Sequence, residues 1–147
     1  MRMLYVASRA SIPARPAMWR ALRDTQGWPI ISSWIDEAGE GETEDMGELW
    51  ARIHLEIQLS NGVLLYAEPG DFPLKGALIE CGMALGIGKP VALVLPGVEN
   101  LRLIGSWVNH PSVKRFDSMG DAQSWLLDGK QTDAAIPQSR PALIAGA

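Results

Sequence analysis

Residues 66–96, YAEPGDFPLKGALIECGMALGIGKPVALVLP, contain the pattern that decides the fold. The stretch opens at the end of one strand-like run and closes on another at 91–95, and the residues between them, 74–87, have the pattern of a helix. A run that is apolar on both faces is typical of a central strand in a parallel sheet. The stretch therefore predicts a strand–helix–strand unit, the building block of an α/β domain.

The flanking sequence continues this alternation in both directions. Capping patterns at Asp45 and Ser118 begin two more helices, and glycines at 27 and 129 end two. The pattern predicts a three-layer α/β/α sandwich with a five-stranded parallel sheet, flavodoxin-like or Rossmann-like, over residues 1–129, and a tail at 130–147. The predicted strands are 4–7, 29–34, 63–66, 91–95 and 113–116, the other helices are 14–26, 45–60 and 118–128, and 36–47 is a loop long enough to be a lid.

Composition limits the classes of function. The chain has 147 residues and a net charge of −4, and its positive residues are scattered, which argues against a nucleic-acid partner. One cysteine and two histidines form neither a disulfide nor a zinc site, and we expect no metal and no cofactor. No run has the length of a membrane span or a signal-peptide core. We expect a cytoplasmic protein that binds a small molecule and has no membrane partner.

The helix at 74–87 is apolar on nearly every side. One stripe, which includes Cys81, faces the sheet, so Cys81 is expected in the core. A second stripe holds Gly76, Glu80, Met83 and Ile87, and a helix of this kind is buried a second time, for example by another subunit. We therefore expect a homodimer or a larger homo-oligomer.

Glu80 is the charged exception on this helix. It lies near the start of the helix, at the carboxyl edge of the predicted sheet, where α/β proteins bind ligands. Burial would raise its pKa and the helix dipole would lower it. Gly76 and Gly82 remove side chains near it and leave room for a ligand. The alternative is that Glu80 points to water or pairs with a nearby lysine.

The segment Gly76-x-x-x-Glu80-x-Gly82, followed by Gly-Lys-Pro-Val, resembles the catalytic segment of the nucleoside 2-deoxyribosyltransferases and the related 2′-deoxynucleoside 5′-monophosphate N-glycosidases. The opening LYVAS, with Tyr5 and Ser8, is similar to the N-terminal signature of that family, and the order of elements agrees over about 3–128. The resemblance implies that Glu80 is a nucleophile that forms a covalent glycosyl-enzyme, oriented by Tyr5. Whether water or a second base then takes the sugar stays open.

Further roles follow from the same resemblance. Ser8 and Arg9 would lie beside the sugar or its phosphate, and Glu56 would be a second carboxylate that holds the substrate. Glu56 can instead form a surface pair with Arg52, four residues earlier. Lys75 is a candidate for a 5′-phosphate, or simply a solvated lysine at the helix start.

The chain departs from the family at Leu74, where the family carries an acid or a small hydroxyl residue. Asp71 reaches that role only through a local insertion. Glu68 or Asp71 is a candidate to protonate the leaving base, and Tyr66 leaves its strand close to the same site.

The segment 106–110 offers an aromatic face and polar groups for a base through Trp107 and Asn109, and the resemblance implies that this loop can reach the site of a neighbouring subunit. Trp107 is equally suited to the core.

Two other functions fit the same fold. A nucleotide-sensing module would bind without cleaving, and Leu74 favours it because a substrate-positioning group is missing there. A flavodoxin-like flavin carrier would need a phosphate loop after the first strand, and the SRAS sequence at 8–11 is a poor one. The choice therefore depends on Glu80, because fold alone does not define function.

Overall fold

The computed structural model describes residues 2–38 and 44–128, in which strands and helices alternate along the chain. The predicted tail and part of the predicted lid loop lie outside the described residues. The elements are β1 (Tyr5–Ala7), α1 (Ala14–Gln26), α2 (Trp34–Glu37), α3 (Met46–Leu59), β2 (Val63–Tyr66), α4 (Gly76–Gly86), β3 (Val91–Val94), β4 (Val113–Phe116) and α5 (Met119–Asp128). Short 3-10 helices are at Pro69–Asp71, Leu101–Leu103 and Ser106–Asn109.

The sheet of the described chain has four parallel strands in the order β1-β2-β3-β4. Tyr5 pairs with Val63, and Val63 pairs with Val91, so these three side chains point to one face of the sheet. Tyr66 pairs with Val94, which pairs with Phe116, and these point to the other face. The strands β1, β2 and β3 are short and almost completely buried, as the apolar runs predict, whereas the edge strand β4 exposes Lys114 and Arg115.

Helices cover both faces of this sheet. On the face of Tyr5, α4 packs against β1, β2 and β3, and α3 packs beside α4. On the face of Tyr66, the Trp19 ring of α1 meets Tyr66 edge-on at 6.5 Å between ring centroids. Trp125 of α5 packs on Phe116 at 5.3 Å between ring centroids. The three-layer arrangement places the start of α4 at the carboxyl ends of the strands.

The predicted strand at 29–34 forms only one bridge, between Ile30 and Leu4, so the five-stranded count is not confirmed. Beyond this bridge, side chains rather than a neighbouring strand form the hydrogen bonds at the edge of β1. The N–H of Val6 donates to Ser32 Oγ at 2.7 Å, and the carbonyl of Val6 accepts from Trp34 Nε1 at 2.8 Å. Because both backbone groups of Val6 are satisfied in this way, the chain can turn into α2 instead of extending the sheet.

The predicted helix signals at Gly27, Asp45 and Ser118 are confirmed, and the predicted stop at Gly129 lies outside the described residues. Gly27 ends α1 in the left-handed region, at φ 71°. Asp45 Oδ1 accepts from the Glu48 N–H at 2.9 Å, and Ser118 Oγ accepts from the Asp121 N–H at 3.0 Å. Cys81 is fully buried in the core, as expected. Within the part of the chain that the structure describes, no helix is long and apolar enough to cross a membrane.

Candidate active site

A cavity of about 360 Å³ opens at the carboxyl edge of the sheet. Three parts of the chain form it: the loop after β1, a wall from α2 and α3, and the start of α4 with the residues before it. This is the edge at which α/β sheets bind ligands. Its lining residues are Ser8, Arg9, Ala10, Ser11, Trp34, Glu37, Ala38, Leu49, Trp50, Ile53, Pro73, Leu74, Lys75, Gly76, Ala77 and Glu80.

Glu80 lines this cavity and is only 7% exposed. Its Oε2 accepts a hydrogen bond of 2.8 Å from the hydroxyl of Tyr5, which is fully buried on β1. Burial raises the pKa of Glu80 to about 8, the Tyr5 hydrogen bond opposes the rise, and the charge of Glu56 adds to it. Glu80 therefore neither points to water nor forms an ion pair with a lysine, since Lys89 Nζ donates to the Ser60 carbonyl and Lys75 is exposed.

Glu56 is a second buried carboxylate near this pair. Both of its oxygens accept from the Ser33 N–H, at 3.2 and 3.4 Å. Burial raises its pKa, and these hydrogen bonds oppose the rise. Its expected surface partner, Arg52, contacts Glu37 and Glu48 instead. Glu56 is not in the cavity lining, so its expected role in holding the substrate has no support in this geometry. Its charge contributes to the raised pKa of Glu80.

The loop after β1 reaches the cavity as expected. The Ser8 hydroxyl donates to the Tyr66 carbonyl at 2.9 Å and accepts from Trp19 Nε1 at 3.0 Å, so protein groups already satisfy it. Arg9 Nη1 donates to the Asp71 carbonyl at 3.2 Å. The ammonium of Lys75 has no partner in the described chain. The cavity thus carries two cationic side chains, Arg9 and Lys75, in addition to Glu80.

Asp71 and Glu68 are not brought to the cavity. Arg15 donates to both oxygens of Asp71, at 2.7 and 2.8 Å, and the Glu68 N–H adds a third bond of 3.1 Å. Burial alone would raise the pKa of Asp71, but these donors outweigh it and the pKa is lowered. The Tyr66 hydroxyl donates to Glu68 Oε2 at 2.5 Å. Burial, together with this hydrogen bond, raises the pKa of Tyr66 to about 12. The predicted acid–base role of Asp71 or Glu68 has no support in this geometry.

The segment 106–110 is also away from the cavity lining. Trp107 is half-buried and its Nε1 donates to the Ile104 carbonyl at 3.0 Å. Asn109 is exposed and donates to the Ser106 carbonyl at 3.1 Å. These contacts hold the loop itself, and neither residue lines the cavity of the same chain. Their role in binding a base stays a prediction.

Sequence reasoning missed the aromatic part of the cavity, which Trp34 and Trp50 provide. The indole of Trp50 lies 3.5 Å from the position that a Cβ on Gly76 would take. Gly76 therefore accommodates this ring, whereas Gly82 is exposed with open space around it and does not serve the cavity. The one feature of the sequence that could have indicated this wall is the apolar stripe of α3, because Leu49 and Ile53 of that stripe also line the cavity.

Fold and site together define an α/β protein with a buried carboxylate–tyrosine pair at a cavity for a small molecule. No known protein-family model matches the chain, and no protein of curated function matches its sequence. A solved structure described as the 2-deoxyribosyltransferase from Bacillus psychrosaccharolyticus is similar in fold, with a TM-score of 0.59 and 18% identity. The match covers 82% of this chain and 90% of that one. At this identity the likeness establishes the shared fold.

Proposed function

We propose that this protein cleaves or transfers the N-glycosidic bond of a nucleoside or nucleoside 5′-monophosphate, with Glu80 as the nucleophile. The observation that carries the proposal is the buried Glu80 carboxylate, bound by Tyr5 at the wall of a cavity large enough for a small molecule. The fold shared with a 2-deoxyribosyltransferase supports the substrate class.

The chemistry uses the two oxygens of Glu80 differently. Tyr5 holds Oε2, and Oε1 is available to attack the anomeric carbon C1′ of the sugar. The C1′–N bond breaks, the base leaves with the bonding pair and takes up a proton, and an ester joins C1′ to Glu80. Water or a second base then attacks C1′ and releases the carboxylate. Because burial favours the neutral acid, only the fraction of Glu80 that is ionised can attack.

The other groups of the site bind the substrate in this proposal. Arg9 and Lys75 supply positive charge for a 5′-phosphate, and Ser8 and Gly76 border the sugar. Tyr5 orients Glu80, and Glu56 tunes its ionisation through its charge. Neither a metal nor a cofactor is required for these steps.

The expected homo-oligomer stays a prediction. Leu55 and Leu59 of α3 and Ile79 of α4 are each more than half exposed, at 54%, 57% and 58%. Exposed apolar side chains on neighbouring helices are typical of a surface that another subunit covers. Light scattering after gel filtration measures the mass, and Ile79→Glu should lower it. A monomer for the native protein contradicts the prediction.

The test of function measures base release from deoxynucleosides and their 5′-monophosphates, with and without an acceptor base. The native protein should release base, and a quenched reaction should show a glycosyl mass increment on the peptide that contains Glu80. Glu48, an exposed glutamate outside the cavity, provides the matched control as Glu48→Gln. Base release that Glu80→Gln leaves unchanged would contradict the proposal.

A nucleotide-sensing module is the second candidate, because one observation favours it. Leu74 lines the cavity with an apolar side chain, so the polar group that the family resemblance implies there is missing. Sensing predicts that saturating nucleotide raises the melting temperature of the native protein while no base is released on long incubation.

A further inference from the structure

The part of the cavity that α2 and α3 form has no role in the chemistry proposed above. It presents two indoles, Trp34 and Trp50, and one carboxylate, Glu37. Apolar side chains complete it. An aromatic surface with a single polar group is suited to a flat heterocycle, because every nucleobase has a face that stacks on aromatic rings.

Both indoles are fixed close to the Tyr5–Glu80 pair. Trp34 Nε1 donates to the carbonyl of Val6, the residue that follows Tyr5 on β1. The Trp50 ring packs on Gly76, one helical turn before Glu80. A base against these rings would therefore lie beside the carboxylate that attacks the sugar.

The carboxylate of Glu37 is held in place from outside the cavity. Arg52 donates to both of its oxygens, through Nη1 and through Nη2, the latter at 3.2 Å. The same guanidinium donates to Ser33 Oγ at 2.6 Å and to both oxygens of Glu48. Each carboxylate oxygen accepts more than one hydrogen bond, so Glu37 keeps acceptor capacity for a ligand.

We propose that this wall is the base subsite and that Glu37 selects nucleosides whose base carries an exocyclic amino group. The inference rests on the proposed function for the kind of ligand. A carboxylate accepts the N–H of the amino group of adenine or cytosine, whereas the oxo group of hypoxanthine or uracil is itself an acceptor and is repelled. Arg52 is a positioning residue, because it fixes the carboxylate without lining the cavity.

The test compares pairs of ligands that differ by amino and oxo groups. Glu80→Gln protein is titrated calorimetrically with deoxyadenosine and deoxyinosine, and with deoxycytidine and deoxyuridine. The amino member of each pair should bind about tenfold more tightly, because the hydrogen bond is to a charged acceptor. Adding Glu37→Gln should remove the preference, since an amide both donates and accepts.

Two matched controls separate the subsite from general effects. Glu48→Gln removes the other carboxylate partner of Arg52 and should keep the preference. Trp50→Leu should weaken binding of all four nucleosides, whereas Trp125→Leu, on the other face of the sheet against Phe116, should not. Glu37→Asp keeps the charge but shortens the side chain, and it should reduce the preference in a protein with a near-native melting temperature.

Equal affinity within each pair, or a preference that survives Glu37→Gln, overturns the inference. If base release depends on Glu80 but no preference appears, the base subsite is wrong and the proposed function stands. If the amino preference appears but no base is released, the proposed function is wrong and the subsite stands.

Discussion

Two buried carboxylates at the same edge of the sheet differ in their partners. Asp71, 2% exposed, receives two hydrogen bonds from Arg15 and one from a backbone N–H. Glu80, 7% exposed, receives one from the neutral hydroxyl of Tyr5. The pKa of Asp71 is lowered and that of Glu80 is raised to about 8. Burial alone therefore does not decide the pKa of a carboxylate, because the hydrogen bonds and charges that compensate its ionised form also act on it.

The largest expected effect is on turnover, which should depend strongly on Glu80 and weakly on Asp71. Glu80→Gln should lower kcat/KM for base release by about three orders of magnitude, because it removes the proposed nucleophile. Asp71→Asn should lower it by less than about tenfold, because Asp71 does not touch the cavity. Rates are measured on the same substrate at pH 8. Similar losses in the two variants contradict the distinction.

The next effect concerns stability, for which Asp71 should matter more than it does for turnover. Asp71→Asn should lower the free energy of unfolding by about 3 kcal/mol at pH 7, because Arg15 loses its two-oxygen carboxylate partner and keeps only Glu68, at 3.5 Å. The lowered pKa of Asp71 means that this contribution is present above about pH 4 and is lost as the pH falls further. Urea unfolding at several pH values measures it. In the double variant Arg15→Leu/Asp71→Asn, part of the loss should be recovered.

Glu80→Gln should instead stabilise the protein, and more so at high pH. The folded protein binds a proton at Glu80 that the unfolded chain releases between about pH 4.5 and 8, so ionisation costs stability across that window. The gain of Glu80→Gln over native protein should be near zero at pH 4.5 and should grow by about 1.4 kcal/mol per pH unit until the pH reaches about 8. A gain independent of pH contradicts the raised pKa.

The smallest expected effect tests whether Tyr5 lowers the pKa of Glu80. Tyr5→Phe removes the hydrogen bond that lowers the pKa of Glu80, so the acidic limb of the kcat/KM profile should move to higher pH. Maximal activity should fall by about tenfold, since one orienting contact is lost. Glu56→Gln should move the limb the other way, because it removes a repelling charge. Shifts of both variants in the same direction contradict this account.

Most of the local structure could be predicted from short-range patterns. The helix start at Asp45 and the helix end at Gly27 follow from groups within a few residues of each other. The predicted strand at 29–34 is reduced to one bridge for a tertiary reason, because Ser32 and Trp34 satisfy the backbone of Val6 with their side chains. No local pattern reports which groups will occupy the edge of a distant strand.

The residues of the candidate site likewise fall into some that the sequence predicted and others that only the packing of distant segments revealed. Glu80 stood out because a charge within an apolar helix requires an explanation, and Tyr5 followed from the family resemblance. Asp71 and Glu68 had the right residue types at the right edge, but Arg15, 56 residues before Asp71 in the sequence, fixes Asp71. Trp34 and Trp50 were missed because the apolar patterns that contain them predict burial and do not distinguish a core from a cavity wall.

The sequence by itself determined the alternation of strands and helices, most of their boundaries and the presence of an acid on an apolar helix, because these depend on periodicity and on near neighbours. Only the tertiary structure decided which acid is left with weak compensation, which aromatic rings face the cavity and where the sheet ends. Those outcomes depend on contacts between residues far apart in the chain, and such contacts form only when the layers pack.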